Sequence, residues 1–123
     1  MKYAIKEHLI TLNEYINAER KNKFLAAKLK KQNTLICKLY ANKLKNKINP
    51  NGLYDLQITW NVLNNRQDAD NIYFAVKFIL DGLVGAGILK NDGRKNIRNI
   101  SHTIKTKKEY LIEIELIEVK INE

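Results

Sequence analysis

Residues 53–87 read LYDLQITWNVLNNRQDADNIYFAVKFILDGLVGAG, and the fold turns on how this stretch divides. Leu56, Ile58, Trp60 and Val62 share one parity, the alternation of a strand half-buried against helices. The run NNRQDAD (64–70) is a polar loop. From about Asn71 to Val84 the chain is apolar except for Lys77 and Asp81, which predicts a helix, and GAG at 85–87 closes it. Those glycines follow a helix rather than joining a strand to one, so they form a C-cap and turn and not a dinucleotide loop.

The flanks supply the remaining elements. KYAIK (2–6) alternates as a short strand, and TLNE (11–14) offers a capping box with Thr11 as N-cap and Glu14 reaching back. From Tyr15 to about Lys47 there is no proline or glycine, and apolar residues recur at three- and four-residue steps. This predicts one long helix, or two broken near Asn22 or Asn33. NPNG (49–52) ends it with a turn. Two further strands are expected near residues 95–105 and 109–121, joined across TKKE. Glu113 and Glu115 share a parity that Glu118 and Lys120 do not, so the last strand carries a bulge or ends early. The elements make an α+β fold: a small sheet packed against a long N-terminal helical region and a central helix, in one domain over residues 1–123.

Composition removes several function classes. No apolar run approaches the roughly 20 residues of a membrane span, and MKYAIKEHLI lacks the apolar core of a signal peptide, so a cytoplasmic protein with no membrane partner is expected. Cys37, the only cysteine, sits in LICKLY and reads as a buried small hydrophobe. His8 and His102 are far apart with no cysteine beside them, which argues against a zinc site. Glu118-Val119-Lys120 has the E-x-K spacing of one nuclease class. It lacks an earlier acid partner, and two alternating charges on an exposed strand give the same pattern.

Charge is distributed unevenly. Residues 19–47 hold Arg20 and nine lysines against Glu19 alone, which accounts for the whole net charge of +9. Such a block is either a solvated helix face or a surface that collects phosphates, where cations gain counterion release. Against this background Asp68 and Asp70 stand one residue apart. In extended backbone they point the same way, and their repulsion needs a cation to offset it. A helix N-cap with a second turn residue is the other reading. At 100° per residue from Asp70, Lys77 lies at about −20° and Asp81 at about +20°, on one stripe broken only by Phe74. Asp81 is roughly 16 Å along that axis, too far to share a metal ion with Asp70, and an i,i+4 ion pair with Lys77 accounts for its placement equally well.

DADN at 68–71, KFILDGL at 77–83 and ND at 91–92, set after NEYINAERKNKFLAAKLKK, resemble the RusA family of Holliday junction resolvases, above all its phage and prophage versions. The resemblance covers nearly the whole chain. It implies a small mixed sheet of RusA type and a magnesium ion, with manganese as the substitute, held by Asp68, Asp70 and Asp92. Lys77 is the matching catalytic lysine, displaced three residues along the helix from the family position, which Phe74 takes. Asn91 stands where the family has a further aspartate. Asn71 and Asp81 are expected to support the centre, and Arg20, Lys21, Lys23, Lys28, Lys30, Lys31, Arg94 and Lys95 to grip phosphate. The implied partners are four-way or other branched DNA and a second copy of the chain, because a four-way junction offers two symmetric strands to cut. The central helix's apolar face or an N-terminal helix is the expected dimer contact. Asp92 has eight residues in which to return from the helix end, or it acts across the dimer.

Overall fold

The computed structural model describes residues 1–120. The elements run β1 (Lys2–Ile5), α1 (Leu12–Lys21), α2 (Lys23–Ala41) with a 3₁₀ turn at Asn42–Leu44, β2 (Tyr54–Val62), α3 (Ala69–Tyr73), α4 (Val76–Gly85), β3 (Ile97–Thr106) and β4 (Leu111–Glu118). The fold is α+β. The strands form one mixed sheet in the order β1-β4-β2-β3, with β2 parallel to β3 and β4 antiparallel to both β1 and β2. Among the described residues no helix is long and apolar enough to cross a membrane.

Local signals set most boundaries. Thr11 and Glu14 close the capping box at the start of α1, the Thr11 hydroxyl accepting from the Glu14 N–H and the Glu14 carboxylate from the Thr11 N–H. The helical region breaks at Asn22, whose extended backbone (φ −168°, ψ 122°) ends α1 while its side chain accepts from the Phe24 N–H and caps α2. Asn33, the other expected break, lies buried inside α2, where its Oδ1 accepts from the Ile10 N–H. Gly87, at φ 74°, ends the α4 segment in a Schellman arrangement: Ile88 N–H reaches Leu83 O and Gly87 N–H reaches Val84 O. β4 ends at Glu118, so the mismatched parity of Glu118 and Lys120 falls at and beyond its end. Residue 121, to which that strand was expected to run, lies outside the described residues.

The central helix departs from expectation. It is two helices, α3 and α4, joined where the hydrogen-bond ladder tightens to i→i−3 at Ala75 and Phe78. Phe74 anchors this tight turn, packed between the rings of Tyr15 and Phe78. One sheet face carries the core: Tyr3, Ile5, Leu56, Ile58, Trp60, Ile112, Ile114 and Leu116 pack with Cys37, Ala41, Phe78, Ile79 and Leu83. Cys37 is buried there, and burial pushes its thiol pKa up to about 12. α2 crosses α4 where Gly82 meets it; a Cβ on Gly82 would come within 2.6 Å of the Cys37 Cβ. The apolar face of α4 is therefore spent in the core and is not free for a dimer.

Topology assigns the chain's charged segments to two ends. Ile5 and Trp60 both pair with Ile112, so β1 ends at the level where β2 finishes; from there Ile10 N–H bonds Asn33 of α2 and Asn13 N–H bonds Asn71 of α3, which sets the N-terminal half of α2, and the turn at Asn22, toward that end. The acidic loop follows β2 directly and belongs to that same end.

Candidate nucleic-acid and metal site

Asp68 occupies the N-cap position of α3 (φ −69°, ψ 154°), yet its carboxylate makes no capping hydrogen bond. Asp70 follows in the first turn. Both side chains are exposed, and among the described residues neither joins an ion pair. The capping reading thus accounts for the backbone at Asp68 and leaves both carboxylates without a protein partner.

The short helix beneath them is held from two sides. Asn71 is buried, and its Oδ1 accepts from the Asn13 N–H at 2.8 Å, tying α3 to the first turn of α1. On the sheet side Tyr73 stacks on His102 with centroids 4.2 Å apart, and Trp60 Nε1 donates to His102 Nδ1 at 2.9 Å. Burial pushes the His102 pKa down, which favours the neutral ring that accepts this bond. Asn71 thus positions α3, while the Trp60–Tyr73–His102 stack is a support the sequence reading passed over. Its signal was available, because His102 shares a parity with the half-buried Ile100 and Ile104.

Lys77 and Asp81 lie further along, on α4. Lys77 Nζ stands 4.0 Å from Asp81 Oδ2 across one helical turn, with the lysine side chain 58 % exposed. Asp81 therefore faces Lys77 rather than supporting the acidic pair.

Arg20 and Lys21 sit in the last turn of α1 and Lys23 begins α2, so the hairpin carries its cations to its turn. Every residue from Glu19 to Leu25 is exposed, as are Lys28 and Lys31. Lys30 is half-buried, its ammonium 4.9 Å over the Tyr15 ring. No acid occupies the first turn of α2, so the positive end of that helix adds to the potential at the turn.

Asp92, Arg94 and Lys95 are exposed at the opposite end. Lys90 N–H bonds Pro50 O at 2.9 Å, and buried Asn96 donates through Nδ2 to Pro50 O and Gly52 O while its carbonyl accepts from the Tyr54 N–H. These bonds pin residues 90–96 to the segment that opens β2. The nine residues of β2 put roughly 26 Å between that segment and the acidic loop at a strand rise of about 3.3 Å. The eight-residue return of Asp92 does not occur within one chain, because α4 leads straight into the latch at Pro50. Among the described residues no group of three or more His, Cys, Asp or Glu stands close enough to hold a metal ion. Asp68 and Asp70 suit a hard cation as a pair of carboxylates. A three-aspartate centre with Asp92 does not fit inside a single copy.

No protein-family model matches the chain, and no curated protein matches it significantly.

Proposed function

We propose that this protein is a magnesium-dependent, structure-selective endodeoxyribonuclease of the RusA type, resolving Holliday junctions by paired nicks in DNA recombination and repair, in the cytoplasm and as a homodimer. One observation carries the reading: two carboxylates with no partner among the described residues share an end of the molecule with a projecting hairpin of cations. Magnesium, or manganese in its place, would supply a more acidic bound water and offset charge on the scissile phosphate. The chain's own residues do the rest. Asp68 and Asp70 hold the cation, Arg20, Lys21 and Lys23 take flanking phosphates, and Lys77, only loosely engaged by Asp81, is free to swing to a phosphate oxygen.

The separation of Asp92 from the pair supports a two-fold dimer in which each centre takes Asp92 from the other copy. β3 offers the means, since it is the ten-residue terminal strand of the sheet and, among the described residues, has β2 alone as a neighbour. Antiparallel pairing of two such edges about His102 would set Ile100 against Ile104 of the second copy, burying both. Because β3 runs parallel to β2, the same pairing turns the Asp92 end of one copy toward the Asp68 end of the other.

A non-catalytic branched-DNA-binding protein is the second reading. It is favoured by Asn91, whose Oδ1 is engaged by the Gly93 N–H at 3.0 Å where the family has a free acid. A synthetic four-way junction incubated with the full chain and magnesium separates the two. Paired nicks, lost in Asp70→Asn with binding retained, are expected. Tight binding without nicks supports the second reading, and no binding overturns both.

A further inference from the structure

Phe24 stands at the turn of the α1–α2 hairpin and is the most exposed large apolar side chain among the described residues, at 72 %. Single exposed hydrophobes are common and need no explanation. The surroundings of this one are unusual. Arg20, Lys21 and Lys23 flank it in sequence, Lys28 lies one turn along the same face, and Glu19 is the only acid between residues 15 and 54. Lys23 Nζ sits 5.4 Å from the ring centroid, so the ring already carries a cation on one face. The Asn22 cap fixes the backbone from which the ring projects, through the bond from the Phe24 N–H at 2.8 Å.

These features specify an occupant. A membrane surface wants a continuous apolar face with its cations along the margin. Here Lys28 and Lys31 separate Phe24 from Leu35 on one stripe of α2, with about 16 Å between the two, so exposed Phe24 and Leu25 are cut off by cations from exposed Leu35 and Leu39. A protein partner would have to bury the cations beside the ring. Nucleic acid satisfies both parts: phosphates meet the cations, and any base with a free face stacks on the ring. Paired bases inside a continuous duplex offer no free face, whereas bases at a branch point or in a single strand do.

We propose that Phe24 is a base-stacking wedge, which grips unpaired or weakly stacked bases at a DNA branch point while Arg20, Lys21 and Lys23 hold the adjoining phosphates. This rests on the nucleic-acid reading and deepens it: the hairpin cations give affinity for any DNA, and the ring gives preference for branched DNA.

The test measures affinities of the full chain and its Phe24→Ala, Phe24→Leu and Phe24→Trp variants for a labelled four-way junction, a single strand and a linear duplex of matched sequence. Phe24→Ala is expected to weaken junction and single-strand binding roughly tenfold with duplex binding unchanged, Phe24→Leu to fall between, and Phe24→Trp to keep the preference. Trp60 is fully buried and emits in every variant, so the difference in emission between Phe24→Trp and the wild type reports the hairpin, and it should change on adding junction but not duplex. Because the ring touches little, thermal melting of all variants should match the wild type. Equal losses on all three DNAs, or none, overturn the wedge while leaving nucleic-acid binding in place. Binding to phosphatidylserine vesicles that depends on Phe24, with no binding to any DNA, overturns wedge and function together.

Discussion

Where β2 finishes, Asp68 and Asp70 stand on a short helix without partners among the described residues, at the end from which a hairpin projects cations into solvent. Where β2 begins, Asp92, Arg94 and Lys95 ride on a segment bonded at three points to Pro50, Gly52 and Tyr54. Both ends mix acids with bases. They differ in what holds them: the first is seated through side chains of Asn71, Tyr73 and His102 and leaves its charges free, while the second is latched to backbone groups by Lys90 and Asn96. The contrast teaches that, among the described residues, neither end alone gathers three carboxylates, so the proposed centre requires a second copy to join them.

Removing charge should break the contrast most strongly. Neutralising Arg20, Lys21 and Lys23 together should weaken binding to all DNA forms by ten- to a hundredfold at moderate salt and lower the salt slope by about three. The same change at Arg94 and Lys95 should lower it by about two if the second copy brings that end to the DNA. A slope unchanged by the hairpin variant would make the basic block a plain solvated face.

A smaller effect is expected at the latch. Asn96→Ala strands the Gly52 carbonyl, while Pro50 O keeps the Lys90 N–H, and should cost about 1 kcal/mol of stability, read by denaturant unfolding. Hydrogen exchange should then quicken at residues 50–54 and 90–97 and stay slow at α3. Uniform loss of protection at both ends would contradict their independence.

The smallest effect concerns pH. The His102 pKa is lowered in the folded state, so the unfolded chain binds the proton more readily and the His102 contribution is fully present above the ordinary value of 6.5. Stability should fall as pH drops below that value, and it should fall less in His102→Phe, which keeps the stack on Tyr73 but cannot be protonated. Parallel pH profiles for the two proteins would show that the ring contributes nothing through its charge.

How far the sequence anticipated these two ends depended on range. The capping box at Thr11 and Glu14, the break at Asn22, the cap at Gly87 and the parity of Leu56, Ile58, Trp60 and Val62 are local patterns, and each was legible. The tightened turn at Phe74 was not, because its anchor Tyr15 lies some sixty residues away. Nor was the latch, since an asparagine in GRKN carries no mark of the two carbonyls it bonds across the fold. Asp68 and Asp70 were singled out as candidates by spacing and family resemblance. That Asp92 belongs to the other end follows from β3 running parallel to β2, a pairing that no local pattern encodes.

Complementation tests the central claim most directly. Asp70→Asn and Asp92→Asn are each expected to be inactive on a four-way junction. When equal amounts are mixed, unfolded and refolded together, half the dimers should be heterodimers, each with one centre that combines Asp68 and Asp70 of one copy with Asp92 of the other. About a quarter of wild-type centres should then be restored, seen as single nicks rather than paired ones. A mixture as inactive as its components would contradict a centre shared between copies.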